Sequence, residues 1–141
     1  MKKALVPIVI GVLFLMIPAM AMGMAFTGSI QGFFCVTQGK VCPIGKEDPM
    51  VAAEQVFVLL ADAEKNIWYY VPNVDRAVLA RHINDMVSIE GFLNKNLNSI
   101  KAKEIYVMGA DKSWKKVWSQ DWQDEIYRDV LGSHPLSPES P

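Results

Sequence analysis

Cys35 and Cys42 are the only thiols of the chain, and they lie in the run from Gly32 to Pro49, GFFCVTQGKVCPIGKEDP. With Gln38-Gly39 as a two-residue hairpin turn, Thr37 faces Lys40, Val36 faces Val41 and Cys35 faces Cys42. Residues opposed in a hydrogen-bonded antiparallel pair have Cα atoms about 5.5 Å apart, within the span of a disulfide. Closing an eight-residue loop in this way contributes roughly 2 to 2.5 kcal/mol on the chain-entropy model. The expectation is therefore a structural disulfide, Cys35 to Cys42. Two other readings stand beside it. A redox couple is disfavoured because the C-x6-C spacing lacks the helix N-terminus that activates a thiol in CxxC proteins. A metal pair would need His82 or His134 as further ligands, and the spacing does not bring them there. The absence of CxxCH excludes a c-type haem attachment.

The other chemistry-bearing residues are weaker. Gly39 to Glu47 looks superficially like a phosphate loop, but five residues separate Gly39 from Gly45 where four are needed, and Glu47 replaces the magnesium-binding Ser or Thr. Lys46, Glu47 and Asp48 read as a solvated loop, with cation binding by the two acids as the lesser reading. Trp68, Tyr69 and Tyr70, with Lys95, Lys101 and Lys103, have the composition of a surface that stacks single-stranded bases. The bland reading is core aromatics and solvated lysines, and no nucleic-acid partner is expected. Trp114, Trp118 and Trp122 recur at helical spacing with Val117, Ile126, Val130 and Leu131. Such a stripe either packs on the domain or binds a partner or a membrane interface; its four basic and five acidic residues give no lean toward anionic lipid. With two histidines, no Ser/His/Asp spacing and no metal motif, the expectation is a non-enzyme with no catalytic residue, no metal and no cofactor.

The elements that position these residues follow from pattern. Met1-Lys2-Lys3 is a positive n-region, and the 23 residues from Ala4 to Phe26 carry no charge. Ala4 to Ile17 has the length of a signal h-region, and Ala19-Met20-Ala21 and Gly23-Met24-Ala25 offer cleavage sites after Ala21 or Ala25. The competing reading is an uncleaved N-terminal anchor. Under both, the lysines stay on the inner side and the remainder is exported, periplasmic or tethered facing the periplasm. The formal net charge of −1 becomes −3 once Lys2 and Lys3 leave, which does not attract phosphate backbones.

Strands are expected from Thr27 to Ile44, from Gln55 to Leu60 and from Ile67 to Val71. Asn73 is placed to cap a short helix from Val74 to Ile83. A strictly alternating strand follows, with Val87, Ile89, Gly91 and Leu93 on one face, and Asn94 to Asn98 turns the chain. The last strand starts at Ile100, and its apolar parity slips by one residue beyond Lys103, as a β-bulge near Lys103-Glu104 would produce. A Trp-rich helix over Lys112 to Leu131, capped by Asp111 and ended by Gly132, is expected to cover Phe92 on the outer face of the last two strands. The expected division is 1–25 leader, 27–110 β-domain, 111–132 helix and 133–141 tail.

Three strands, a helix, then two strands resembles the five-stranded Greek-key barrel of the oligonucleotide/oligosaccharide-binding (OB) type, and small exported bacterial OB-fold proteins match the leader and size. Val78-Leu79-Ala80-Arg81-His82 also resembles the Val-Leu-Ala-Lys-His run of the haem chaperones of cytochrome c maturation, which are membrane-tethered OB-fold proteins. That resemblance implies covalent haem on His82. The family's Tyr four residues later is Met86 here, and the family places its His after the barrel. The expected function is a non-catalytic exported binding module for an envelope protein or small ligand, through Trp68, Tyr70, Trp114, Trp118 and Trp122. The alternative is a membrane-tethered haem or metal carrier using His82 and Met86.

Overall fold

The computed structural model describes residues 23–42 and 52–131. The leader over 1–22, the acidic loop at Lys46 to Asp48, Gly132, His134 and the tail lie outside the described residues.

Six strands make the domain: β1 Met24–Gly32, β2 Phe57–Asp62, β3 Ile67–Tyr70, β4 Met86–Asn94, β5 Ser99–Met108 and β6 Trp114–Ser119. Among the described residues they are accompanied by the helices α1 Phe33–Thr37, α2 Arg76–Ala80 and α3 Gln120–Leu131. The sheet runs β3-β2-β1-β4-β5-β6, antiparallel throughout, and closes in a ring where Tyr70 of β3 pairs in parallel with Ser99 of β5. β1 serves two partners, pairing β4 over Met24 to Ser29 and β2 over Ser29 to Gly32. At Gly28 of β1 the backbone of β2 approaches closely, since a Cβ there would come within 2.3 Å of the Leu60 carbonyl oxygen.

The ring is filled by alternate residues of its strands. Ile30, Leu59, Val87, Ile89, Ile100 and Ile105 are buried, with Leu79 of α2 and Ile83 among them. The alternation expected in β4 is observed, as Val87, Ile89 and Gly91 are buried while Met86, Glu90 and Phe92 are exposed. The expected bulge is also present. Glu90 pairs with Glu104 and Gly91 with Ala102, so Lys103 is the extra residue, and Ile105 returns to the inner face.

Ring closure leaves part of the β5 edge unpaired by strands, because β3 meets it only at Ser99 and β6 only from Glu104 onward. Asn73 fills the gap. Its Nδ2 donates to the Ala102 carbonyl at 2.7 Å, and its Oδ1 accepts from the Ala102 N–H at 2.9 Å, so a side-chain amide stands in for a strand partner. The same Nδ2 donates to Gln120 Oε1 at 2.8 Å. Asn73 is thus unavailable as the helix cap that the sequence suggested. Asp75 caps α2 instead, accepting from the Ala77 N–H at 2.7 Å, and the helix is shorter than expected.

Three further expectations are corrected. The first strand begins at Met24 and ends at Gly32, and the segment Phe33 to Thr37 is helical, not half of a hairpin. Phe33 and Val36 explain this: a strand would send them to opposite faces, whereas one helical turn points both at β2 and β3. Val36 is fully buried on Val58 and Leu60, and Phe33 packs on Trp68 and Tyr70. Gly39 has φ +67 and follows the end of this helix, its N–H donating to the Val36 carbonyl at 3.0 Å. The left-handed backbone that suggested a hairpin turn here closes a helix. The helix over Lys112 to Leu131 is likewise divided. Its first half is β6, paired to β5 with Trp118 opposite Ile105, so the ring sheet has six strands and not five.

Candidate functional site

Two cavities at the margin of the core bring chemistry-bearing or apolar side chains together. The first is the cysteine corner, where α1 leaves β1. Cys35 and Cys42 are free thiols with sulfurs 2.9 Å apart, Cys42 Sγ donating to Cys35 Sγ. The disulfide expected between them is not formed in this structure; the two thiols are brought together by a helix and a returning turn in place of a hairpin. Cys42 is held from two directions. Its backbone N–H donates to Gln31 Oε1 at 2.7 Å, and its sulfur accepts from the Gly32 N–H at 3.0 Å. Gln31 is itself buried and fixed, its Nε2 donating to Ser29 Oγ at 3.1 Å and to Asn84 Oδ1 at 2.9 Å.

A side chain at Gly32 would crowd this packing, since a Cβ there would lie 3.1 Å from Cys42 Sγ and 2.6 Å from Glu54 Oε2. Glu54 reaches the corner because Arg76 of α2 holds its segment, donating to the carbonyls of Glu54 at 2.8 Å and Ala52 at 3.0 Å. The Glu54 carboxylate accepts from the Phe34 N–H at 3.0 Å. A cavity of about 250 Å³ opens here, lined by Phe34, Cys35, Ala53, Glu54 and Gln55. Burial, and next the hydrogen bond to Cys35, push the Cys42 thiol from its ordinary 9.0 up to about 12. Cys42 is therefore a protonated thiol at neutral pH.

The second place is the groove between α2, β6 and α3, about 320 Å³, lined by Asp75, Val78, Val117, Trp118, Trp122, Gln123, Ile126 and Tyr127. The three tryptophans expected on one stripe have different fates. Trp118 is 5% exposed and belongs to the core, its indole Nε1 donating to Gln123 Oε1 at 3.0 Å. Trp114 starts β6, and Trp122 lies in the first half of α3, both largely exposed. None of them covers Phe92, whose ring instead carries the Lys103 ammonium 4.8 Å from its centroid. Further along α3, Ile126, Tyr127 and Val130 are exposed, the first two at the rim of the groove.

Trp68 and Tyr70 are half-buried on the outer side of β3. They pack edge-on with centroids 5.0 Å apart, and each contacts Phe33. Their ring faces are engaged in the protein and not set out as a stacking platform. Tyr69 points inward onto Phe26. His82 follows α2, with Nδ1 3.1 Å from Asp85 Oδ2, and Met86 opens β4 opposite Ser29. Among the described residues no group of three or more His, Cys, Asp or Glu side chains is placed to hold a metal ion, and no helix is long and apolar enough to cross a membrane.

On the outer face of β5 and β6, Glu104 accepts from Lys116 Nζ and from the Tyr106 hydroxyl. The Lys116 bond, followed by that from Tyr106, holds the Glu104 carboxyl below its ordinary range, and the carboxylate in turn raises Tyr106 and Lys116. The Lys116 ammonium also lies 5.7 Å from the Trp122 ring centroid. Sequence reasoning did not pick out Gln31 or Glu54, and it gave Asn73 only the role of a helix cap. Glu54 acts on Phe34 twenty residues away, Asn73 on Ala102 and Gln31 on Asn84, so no local pattern marks these roles.

Fold and sites together define a mainly β module, one sheet closed in a ring, with a dithiol corner on one side and an apolar groove on another. No family model, curated protein or solved structure matches the chain.

Proposed function

We propose that this chain is an OB-type binding module of the cell envelope, exported by its apolar leader, that engages a partner protein through the groove beside α3. The OB reading is supported by the pairing order β1-β2-β3-β5-β4-β1, with α2 lying between β3 and β4 and contributing Leu79 to the core. β6 is then an addition on the free part of the β5 edge. Cleavage of the leader after Ala21 leaves β1 whole, whereas cleavage after Ala25 removes the two residues that pair with Gly91 and Glu90.

The observation that carries the binding role is the face of α3. Trp122, Ile126 and Val130 follow one another at i, i+4 and i+8, and they are 47%, 61% and 64% exposed. A helix of 12 residues is marginal on its own in water, and this one is tied to the sheet chiefly through Gln120 and Gln123. An apolar helix face continuous with a groove gains stability when a partner covers it. Replacing Ile126 with a photo-crosslinking amino acid in cells that produce the full chain tests this. A discrete adduct with one protein from position 126, and none from Leu97 in the β4–β5 turn, is the expected result. Absence of an adduct, or the same adducts from both positions, overturns the reading.

A further inference from the structure

We propose that Cys35 and Cys42 are a thiol–disulfide exchange site, in which Cys35 meets an external small-molecule disulfide through the cavity beside it and Cys42 resolves the mixed disulfide. The site is independent of the α3 groove and of any partner bound there.

The geometry assigns the two roles. Cys35 lines the cavity of about 250 Å³ with Phe34, Ala53, Glu54 and Gln55, and Cys42 does not. Cys42 lies behind it, 5% exposed, fixed through its N–H by buried Gln31 and through its sulfur by the Gly32 N–H. The sulfurs are already 2.9 Å apart, so bonding them at about 2.05 Å asks for a displacement under about 1 Å. In the hydrogen bond between the two sulfurs Cys42 is the donor and Cys35 the acceptor. The absent side chain at Gly32 gives Cys42 the room to stand there.

The steps balance. The Cys35 thiolate attacks one sulfur of the external disulfide, whose S–S bond breaks; a mixed disulfide forms, and the departing thiolate takes up a proton. Cys42 then loses its proton to solvent and attacks the Cys35 sulfur, expelling the second small thiolate. The protein gives up two protons and two electrons, and the external disulfide is reduced to two thiols. A linear two-sulfur metal site is a poorer fit to this spacing, because metal–sulfur bonds of about 2.3 Å on opposite sides of an ion would hold the sulfurs well beyond 2.9 Å.

The test uses the full-length reduced protein and oxidised glutathione. The chain has only these two cysteines, so intact mass is unambiguous. Wild type is expected to end with both thiols lost to an internal disulfide and no glutathione retained. Cys42→Ser is expected to keep one glutathione, and Cys35→Ser to react about tenfold slower or less. Acid quenching of the wild type at early times, followed by proteolysis, keeps the assignment testable even where a variant folds poorly. Transient glutathione on the Cys35 peptide supports the proposal. Glutathione found first on Cys42, or two thiols still alkylatable after prolonged exchange, overturns it.

Discussion

Two apolar faces lie outside the inner core, and they differ in what covers them. On the outer side of β2 and β3, Val58 and Leu60 are buried by Val36 and Phe33 of α1 and by Trp68 and Tyr70. On α3, Trp122, Ile126 and Val130 have comparable apolar surface, and no segment among the described residues covers it. The first face is completed by a helix only five residues long, which would not hold in isolation and persists because it buries Val36 completely. The comparison teaches that an aromatic run says little about role until its cover is known. Trp68 and Tyr70 pack against Phe33, whereas Trp122 is exposed on α3.

If this contrast is sound, truncating residues of the closed faces should unfold the protein and truncating those of α3 should not. The largest loss is expected for Trp118→Ala, about 3–5 kcal/mol, because its indole fills the core. Urea unfolding of the full chain measures it, and a chain ending at Ser119 should remain markedly more stable than one ending at Ala110, which lacks Trp118. Leu60→Ala should cost about 2–3 kcal/mol by opening the space between β2 and α1. A loss as small as that of a surface substitution would mean that the α1 cover is loose.

The cysteine corner sharpens the comparison through pH. The folded Cys42 thiol titrates near 12 and the unfolded one near 9.0, so the fold favours the protonated form. Its contribution is complete below about pH 9 and is lost as pH rises from there through 12. Protein kept reduced should therefore lose its margin in melting temperature over Cys42→Ala across that window. Glutathione exchange should speed up with pH in the same sense, because the resolving step needs the Cys42 thiolate.

Smaller effects are expected on the exposed side. Glu104→Gln should cost no more than about 1 kcal/mol, since its pair with Lys116 is partly exposed and screened by solvent. Lys116 and Tyr106 hold the folded Glu104 carboxyl below its ordinary range, so this contribution is present above that range and is lost as pH falls from it through the lowered folded value. Trp122→Ala should change stability by less than about 0.5 kcal/mol while abolishing the adduct formed from position 126, and Ile126→Asp should change stability no more than that. A large drop in melting temperature for Ile126→Asp would make α3 a packed element and end the contrast.

The sequence by itself determined those features in which local chemistry leaves one solution. The alternation from Val87 to Leu93 admits only one buried face, and the parity slip beyond Lys103 marks a bulge because side chains in a strand have a period of two. The nearness of Cys35 and Cys42 was also legible, since so short a spacing with Gly39 between them returns the chain on itself.

Tertiary structure decided the rest, where one pattern satisfies two local states. Trp114, Val117 and Trp118 suit a helical stripe as well as a strand, and the free edge of β5 beyond Glu104 settled the matter by offering hydrogen-bond partners that no propensity records. The run from Phe33 to Val36 became helical because both ends could then be buried on β2 and β3. Asn73 left the helix cap for Ala102 because ring closure had left that backbone without a strand, and an unpaired buried N–H and C=O cost more than moving a cap two residues to Asp75.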